Sequence, residues 1–330
     1  MPCSDRDPRQ AFGGDAMGEA CIDRISRRRL VQGGACAALA TYLGRSAWAS
    51  ADPQHLAKPI GSAAERLPVI GLGTDSFASR DYPALRDEIQ RMVELGGTLI
   101  DTAPAYGESE ALIGRALEEL KLRDRVFIAT KLTARNGGYY GNNPVGKDSL
   151  LRSLERLRTT HIDLLQVHNL NGVEILMPWL RQWKQDGKIR YLGITTSQVE
   201  QHVPMAEYLR TMPLDFVQVD YSIAERDAEA SVLPLAQQHH VAVLANLPFG
   251  HASLFRQAGK RSLPPWAAQL GISSWAQYFL KYVVSHPAVT AAIPGSTSVA
   301  HLVDNQGAGR GAMPDAAQRQ NMERYWAAAG

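Results

Sequence analysis

The chain has 330 residues, 45% of them hydrophobic and 21% charged, the balance of a soluble globular protein rather than a fibrous or disordered one. A net charge of +2 gives no electrostatic ground for a nucleic-acid partner. No apolar run reaches the roughly 18 residues a membrane helix requires, so no membrane association is expected of the mature form.

Residues 1–50 stand apart from the rest. All the cysteines, Cys3, Cys21 and Cys36, fall here. Ser26-Arg27-Arg28-Arg29 precedes a mildly apolar stretch from Leu30 to Leu43, and Ala47-Trp48-Ala49 offers a small-residue cleavage site. A basic start, an apolar middle and a small-residue exit describe an export leader. The paired arginines resemble a bacterial twin-arginine (Tat) signal, which implies the Tat machinery as a partner and a periplasmic mature protein, or a cytoplasmic one if the leader is not a working signal. The length ahead of Arg27 suggests that translation starts at Met17. Removal of the leader would leave a chain without cysteine, which an oxidising compartment cannot misbridge.

Residues 51–330 read as one domain of alternating strands and helices. Strand-like runs fall at Leu67–Gly71, Gly97–Asp101, Val126–Thr130 and Ile162–Val167. Four more follow at Arg190–Ile194, Phe216–Val219, Val241–Ala245 and Val289–Ile293. Several are apolar on consecutive residues, as in a parallel sheet covered on both faces. Between them lie amphipathic segments, Arg86–Leu95 and Glu110–Leu120 among them, and a helix around Leu150–Leu157 that Asp148 could cap. Ser274 and Gln277 form a capping-box pair for a helix ending at His286, before Pro287. The polar stretch Asn136–Asn143 is a loop, and the tail from Gly307 covers the outside or frays. Repeated βα units of this size predict a (β/α)8 TIM barrel, which takes roughly 250 residues. A doubly wound open sheet is the rival; against it, Gly71-Leu72-Gly73 lacks the third glycine of a dinucleotide fingerprint.

In a parallel barrel the strand ends share one rim, and that rim carries the active site. Asp101, Lys131 and His168 end successive predicted strands, so they should stand side by side, with Tyr106 in the loop just beyond Asp101. Alone, each has a plain reading as a turn, solvated or packing residue. Together they suit proton transfer. A phenol with a reference pKa of about 10 is a weak acid at neutral pH. A neighbouring ammonium favours its phenolate, a carboxylate holds that ammonium, and an imidazole donates to a substrate oxygen.

Asp101-Thr102-Ala103-Pro104-Ala105-Tyr106-Gly107, then Thr130-Lys131, then Val167-His168-Asn169 resemble the signatures of the aldo-keto reductases, in order and at the family's spacing. The resemblance runs from about Leu67 to Asn305. It implies a barrel that moves hydride between NAD(P)H and a carbonyl or alcohol. Tyr106 would be the general acid/base, Lys131 and Asp101 its tuners, and His168 the group that orients the carbonyl.

The same resemblance places the cofactor. Gly73 and Thr74 match the turn after the first strand, and Gln218 matches the glutamine at the nicotinamide amide. Thr195 and Thr196 stand where the family often has Ser-Asn, and Asn246 replaces its stacking tyrosine. After the last strand, Gly295, Ser296 and Thr297 form a small-residue turn at a helix N-terminus, which suits a phosphate. Asp304 and Asn305 match the adenine-binding pair, and His301 stands among them without the family's usual lysine and arginine. NADP(H) is the cofactor expected, with NAD(H) as the other choice. Phe77, Tyr139, Tyr140 and Phe249 fall in loops that could line a substrate pocket; no charged anchor for a particular carbonyl compound is evident.

Two other functions remain open at this point. A nucleotide-sensing barrel with little turnover would tolerate Thr196 and Asn246 but has no need of a tuned acid. A lyase would use Lys131 as a Schiff base, which a carboxylate beside it opposes by keeping the amine protonated.

Overall fold

The computed structural model describes residues 55–137 and 140–328. The leader of residues 1–50 and Tyr139 lie outside these. Eight strands make the barrel: β3 (Leu72–Gly73), β4 (Leu99–Asp101), β5 (Phe127–Leu132), β6 (Ile162–Val167), β7 (Ile189–Thr195), β8 (Phe216–Asp220), β9 (Ala242–Asn246) and β10 (Ala291–Ala292). They pair in parallel in chain order. Parallel bridges between Ile70 and Ala292 and between Gly73 and Gly295 join the first strand to the last. Closure leaves no exposed sheet edge.

Each strand alternates between two apolar layers. Leu99, Phe127, Leu164, Phe216 and Leu244 cluster inside the barrel, while Ile100, Ile128, Leu165, Val217 and Val243 pack outward against the helices. This two-sided burial explains the uninterrupted apolar runs. Around the barrel run α1 (Tyr82–Glu94), α2 (Ser109–Leu120), α3 (Gly146–Arg156), α4 (Val173–Gln185) and α5 (His202–Thr211), then α6 (Val232–Gln238), α7 (Ser253–Ala258), α8 (Trp275–Ser285) and α9 (Val299–Gly307). The last helix, α10 (Ala316–Ala327), carries a capping box between Asp315 and Gln318. The tail therefore does not fray: Met322 and Trp326 are buried, and Trp326 meets the Phe279 ring of α8 at 5.0 Å.

Three local expectations need revision. The run Leu67–Gly71 is not one barrel strand. Its start belongs to β2 (Arg66–Pro68), which pairs antiparallel with β1 (Ala57–Pro59). Both short strands carry a proline, which a central strand does not tolerate. Ile60 and Leu67 of this hairpin join the inner cluster, so it closes the barrel end where the strands begin. Lys58 ties it down, donating to the carbonyls of Val284, His286 and Val289 at 2.7, 2.8 and 2.7 Å. Asp148 does not cap α3; the N-cap is Val145, and Asp148 lies in the first turn, where a carboxylate complements the helix dipole. Ser274 does cap α8, accepting from the Gln277 amide at 3.1 Å, but the Gln277 side chain reaches back to the Ser273 N–H at 2.9 Å rather than to Ser274.

Candidate active site

The inward-facing positions change character along each strand. Leu99 is followed two residues later by Asp101, Ala129 by Lys131, Leu164 by Gln166, Phe216 by Gln218 and Leu244 by Asn246. Side chains two apart share a face, so a polar layer sits above the apolar plug at the C-terminal rim. The structure brings Asp101, Tyr106, Lys131 and His168 together there, on the wall of a cavity of about 740 Å³.

Lys131 and Asp101 are 1% and 2% exposed. The Lys131 ammonium donates to Asp101 Oδ2 at 2.7 Å and to the Thr102 carbonyl at 2.8 Å. Burial pushes the Asp101 carboxyl above the usual aspartate value, and the Lys131 ammonium pulls against that push. The same ammonium lies 4.9 Å from the centroid of the Tyr106 ring. Tyr106 meets the His168 ring edge-to-face, with centroids 6.0 Å apart. Burial and the charge on Lys131 hold His168 down to about 2, so its imidazole is neutral at any working pH.

Around this group the backbone is tightly held. The Thr74 hydroxyl donates to the Asp101 carbonyl at 2.9 Å, and Ser109 bonds both Thr74 and Thr102 through their hydroxyls at 2.9 and 3.0 Å. After His168 the chain turns through Asn169 and Leu170 at φ of 47° and 55°, a conformation that costs energy for residues other than glycine and recurs at functional sites.

Of the residues expected at the cofactor, Gly73, Thr74, Thr195, Gln218, Asn246 and Gly295 line the cavity, as do Ser296, Thr297, His301, Asp304 and Asn305. Thr196 does not. Its hydroxyl donates to Gln201 at 2.7 Å, and its carbonyl accepts from the Asn246 amide at 2.8 Å. Thr196 is a brace, and its neighbours Thr195 and Ser197 face the cavity. Gln218 is paired to Gln166 at 2.8 Å. Phe249 lines the cavity, whereas Phe77 is fully buried away from it. Tyr140 packs behind His168, its ring 5.4 Å from the imidazole. Asp75, Asn169, Pro248, Phe255 and Trp275 also line the cavity; Asp75 and Pro248 lie in loops, which carry no periodic signal to show which way a side chain points, and Phe255 and Trp275 stand at or near the start of α7 and α8, where distant packing sets what they face.

The shape suits a dinucleotide. One end holds Asp101, Tyr106, Lys131 and His168. The other lies against the N-terminus of α9, where Ser298 caps the helix by accepting from the His301 N–H at 3.2 Å, a natural place for a phosphate. At Gly295 the only atom a Cβ would approach is Asp75 Oδ1, at 3.7 Å, so any larger side chain would take up cavity space. Gln218, Thr195 and Asn246 line the cavity at the strand ends, and Ser296, Thr297, Asp304 and Asn305 line it at the loop into α9 and on α9 itself.

Residues 69–317 match the family model described as the aldo/keto reductase family. The chain belongs to that family. As a member it is an NAD(P)H-dependent oxidoreductase built on a (β/α)8 barrel. Aldo-keto reductase YhdN of Bacillus subtilis is 35% identical over 189 residues, covering 53% of this chain and 56% of that relative. Methylglyoxal reductase YeaE of Escherichia coli is 30% identical over 247 residues, covering 72% of this chain and 84% of the relative. Among solved structures, the aldo-keto reductase of Klebsiella pneumoniae in complex with NADPH superposes with a TM-score of 0.65 at 28% identity, covering 82% of this chain and 95% of that one.

Proposed function

We propose that this aldo-keto reductase reduces small neutral aldehydes and ketones, with Tyr106 as the proton donor. The observation that carries the reading is the position of the Lys131 ammonium, 2.7 Å from Asp101 Oδ2 and 4.9 Å from the centre of the Tyr106 ring. What a bound reduced nicotinamide supplies is hydride for the carbonyl carbon; the rest of the chemistry falls to side chains. Tyr106 gives its phenolic proton to the carbonyl oxygen as negative charge develops there. Lys131 stabilises the phenolate left behind, and Asp101 keeps Lys131 charged and in place. The neutral His168 offers an N–H to the same oxygen. Charge is stabilised where it forms, beside the buried side chains of Asp101, Lys131 and His168.

Phe249, Phe255 and Trp275 give the cavity an apolar side, and Lys131, already paired with Asp101, is the only lysine or arginine among its described lining residues. That favours uncharged substrates, and the relative named methylglyoxal reductase points to 2-oxoaldehydes. The test is Tyr106→Phe. The variant should bind NADPH as the wild type does and lose carbonyl reduction by at least about 10²-fold. Undiminished turnover would end the assignment. A wild type that binds NADPH yet reduces nothing across a broad aldehyde panel would instead favour a sensing barrel.

We infer export from the leader pattern Ser26-Arg27-Arg28 with Ala47-Trp48-Ala49. Tat transport carries folded proteins, so the cofactor would travel bound. Replacing Arg27 and Arg28 by Lys should trap the protein in the cytoplasm on cell fractionation. An unchanged distribution would refute the reading.

A further inference from the structure

On one side of the rim, side chains continue the work of the backbone ladder. The strands β7, β8 and β9 stop at Thr195, Asp220 and Asn246. Backbone bonds reach as far as the Thr196 N–H, which donates to the Gln218 carbonyl at 2.9 Å, and the Tyr221 N–H, which donates to the Asn246 carbonyl at 3.2 Å. Beyond them a ring of side chains closes. The Asn246 amide donates to the Thr196 carbonyl at 2.8 Å, and the Thr196 hydroxyl donates to Gln201 Oε1 at 2.7 Å. Gln201 is the N-cap of α5, and His202 is its first residue. The His202 imidazole donates through Nε2 to Asp220 Oδ1 at 2.8 Å. Asp220 in turn stands in register with Asn246, where the ring began.

His202 and Asp220 are each 4% exposed, and neither lines the cavity. Thr195, Gln218 and Asn246, directly in front of them, all do. The Nδ1 of His202 has no hydrogen-bond partner among the described residues, so Asp220 is the polar anchor of this imidazole. A buried pair of this kind is a poor source of stability, since apolar residues of similar volume often serve as well or better. What it supplies is geometry. A charge-assisted bond is short and directional, and this one sets the distance between the start of α5 and the end of β8. With its amide nitrogen committed to Thr196, Asn246 is held in turn. We propose that His202 and Asp220 are positioning residues: by closing the ring they fix the wall of Thr195, Gln218 and Asn246 against which the dinucleotide lies. The proposal rests on the reductase reading of the cavity and adds to it two residues behind its wall.

Trp275 lines the cavity, so quenching of tryptophan fluorescence reports NADPH binding without turnover. His202→Leu combined with Asp220→Asn removes the bond and leaves no orphan charge. This double variant should weaken the NADPH Kd by about tenfold and lower kcat for methylglyoxal, counted per bound NADPH, by at least about tenfold. The isotope effect with deuterated NADPH should grow, because a misplaced wall slows hydride transfer itself. His202→Gln, whose amide can still donate to Asp220, should stay within about twofold of wild type in all three. A pair that served stability alone would change the number of folded molecules and leave the Kd and isotope effect of those molecules as they were. A double variant with wild-type Kd and isotope effect would overturn the proposal, as would a His202→Gln variant equally impaired. Thr196→Val cuts the ring elsewhere without touching a charge and should shift the same quantities in the same direction; unchanged values there overturn the proposal even where the double variant fails to fold. A wild type that binds no NADPH removes both this inference and the reductase reading. One that binds NADPH but reduces no carbonyl removes only the reading, and the ring is then judged on Kd.

Discussion

The ammonium of Lys131 and the carboxylate of Asp101 meet at 2.7 Å from neighbouring strands, both shut off from solvent. Two opposite charges in such a place depend on one another. Removing one strands the other in a medium that cannot solvate it, at about 3–5 kcal/mol. Lys131→Met should therefore lose both turnover and stability. The double variant Asp101→Leu, Lys131→Met should be more stable than Lys131→Met alone, because no orphan charge is left. Urea unfolding midpoints decide this; a double variant that is the sum of two losses would show that the pair does not act as a unit.

His168 is held down to about 2 by burial and by Lys131, which separates its role from its titration. His168→Gln should cut kcat by about 10²-fold through loss of a donor to the developing oxyanion. The midpoint of the acid limb of kcat/KM should not move, because the neutral imidazole does not ionise there. Loss of an ionisation from that limb would show that His168 acts as an acid.

The same imidazole ties stability to pH. Its folded value lies below the 6.5 of a free histidine, so between the two the unfolded chain binds more protons than the folded one. Its contribution is complete above about 6.5 and drains away as pH falls toward 2. His286, held down to about 4 by burial first and then by Arg319, acts with the same sign from 6.5 downward. Unfolding free energy should fall as pH drops below 6.5, and His168→Gln should flatten that slope.

Gly114 of α2 sets two effects against each other. Alanine has the better helix propensity by about 1 kcal/mol. A Cβ here, however, would run into the Arg156 carbonyl and lie 2.7 Å from the Leu157 backbone. Backbone does not yield as a side-chain tip does, so the clash wins. Gly114→Ala should destabilise by about 1–3 kcal/mol in thermal unfolding; a stabilised variant would mean that α2 and α3 part without cost.

Lys58 is a structural prediction at the other end of the barrel. Its ammonium serves three carbonyls at the mouth of α8 and before β10. Lys58→Met leaves them without their donor and should cost roughly 3 kcal/mol. Kinetic constants should stay close to wild type, because the hairpin closes the end away from the rim. A parallel loss of kcat would contradict that separation.

Much of this protein could be read from residue order alone. Apolar runs separated by helical periodicity predict a parallel sheet, because burial on both faces is what makes such runs favourable; seven of the eight runs fall on barrel strands, and the Leu67–Gly71 run does not. Asp101, Lys131 and His168 terminate consecutive runs, and the common direction of the strands carries them to one rim whatever the loops do. The hairpin at Ala57–Pro68 escaped the reading because its strands are three residues each, too short for a period to show. Tertiary structure alone decided the rest. The role of Thr196 depends on an amide from Asn246, 50 positions later. Trp275 and Phe255 reach the cavity because helices fold back over it. Whether a side chain faces a cavity or a neighbour is set by distant packing, and local pattern carries no record of that.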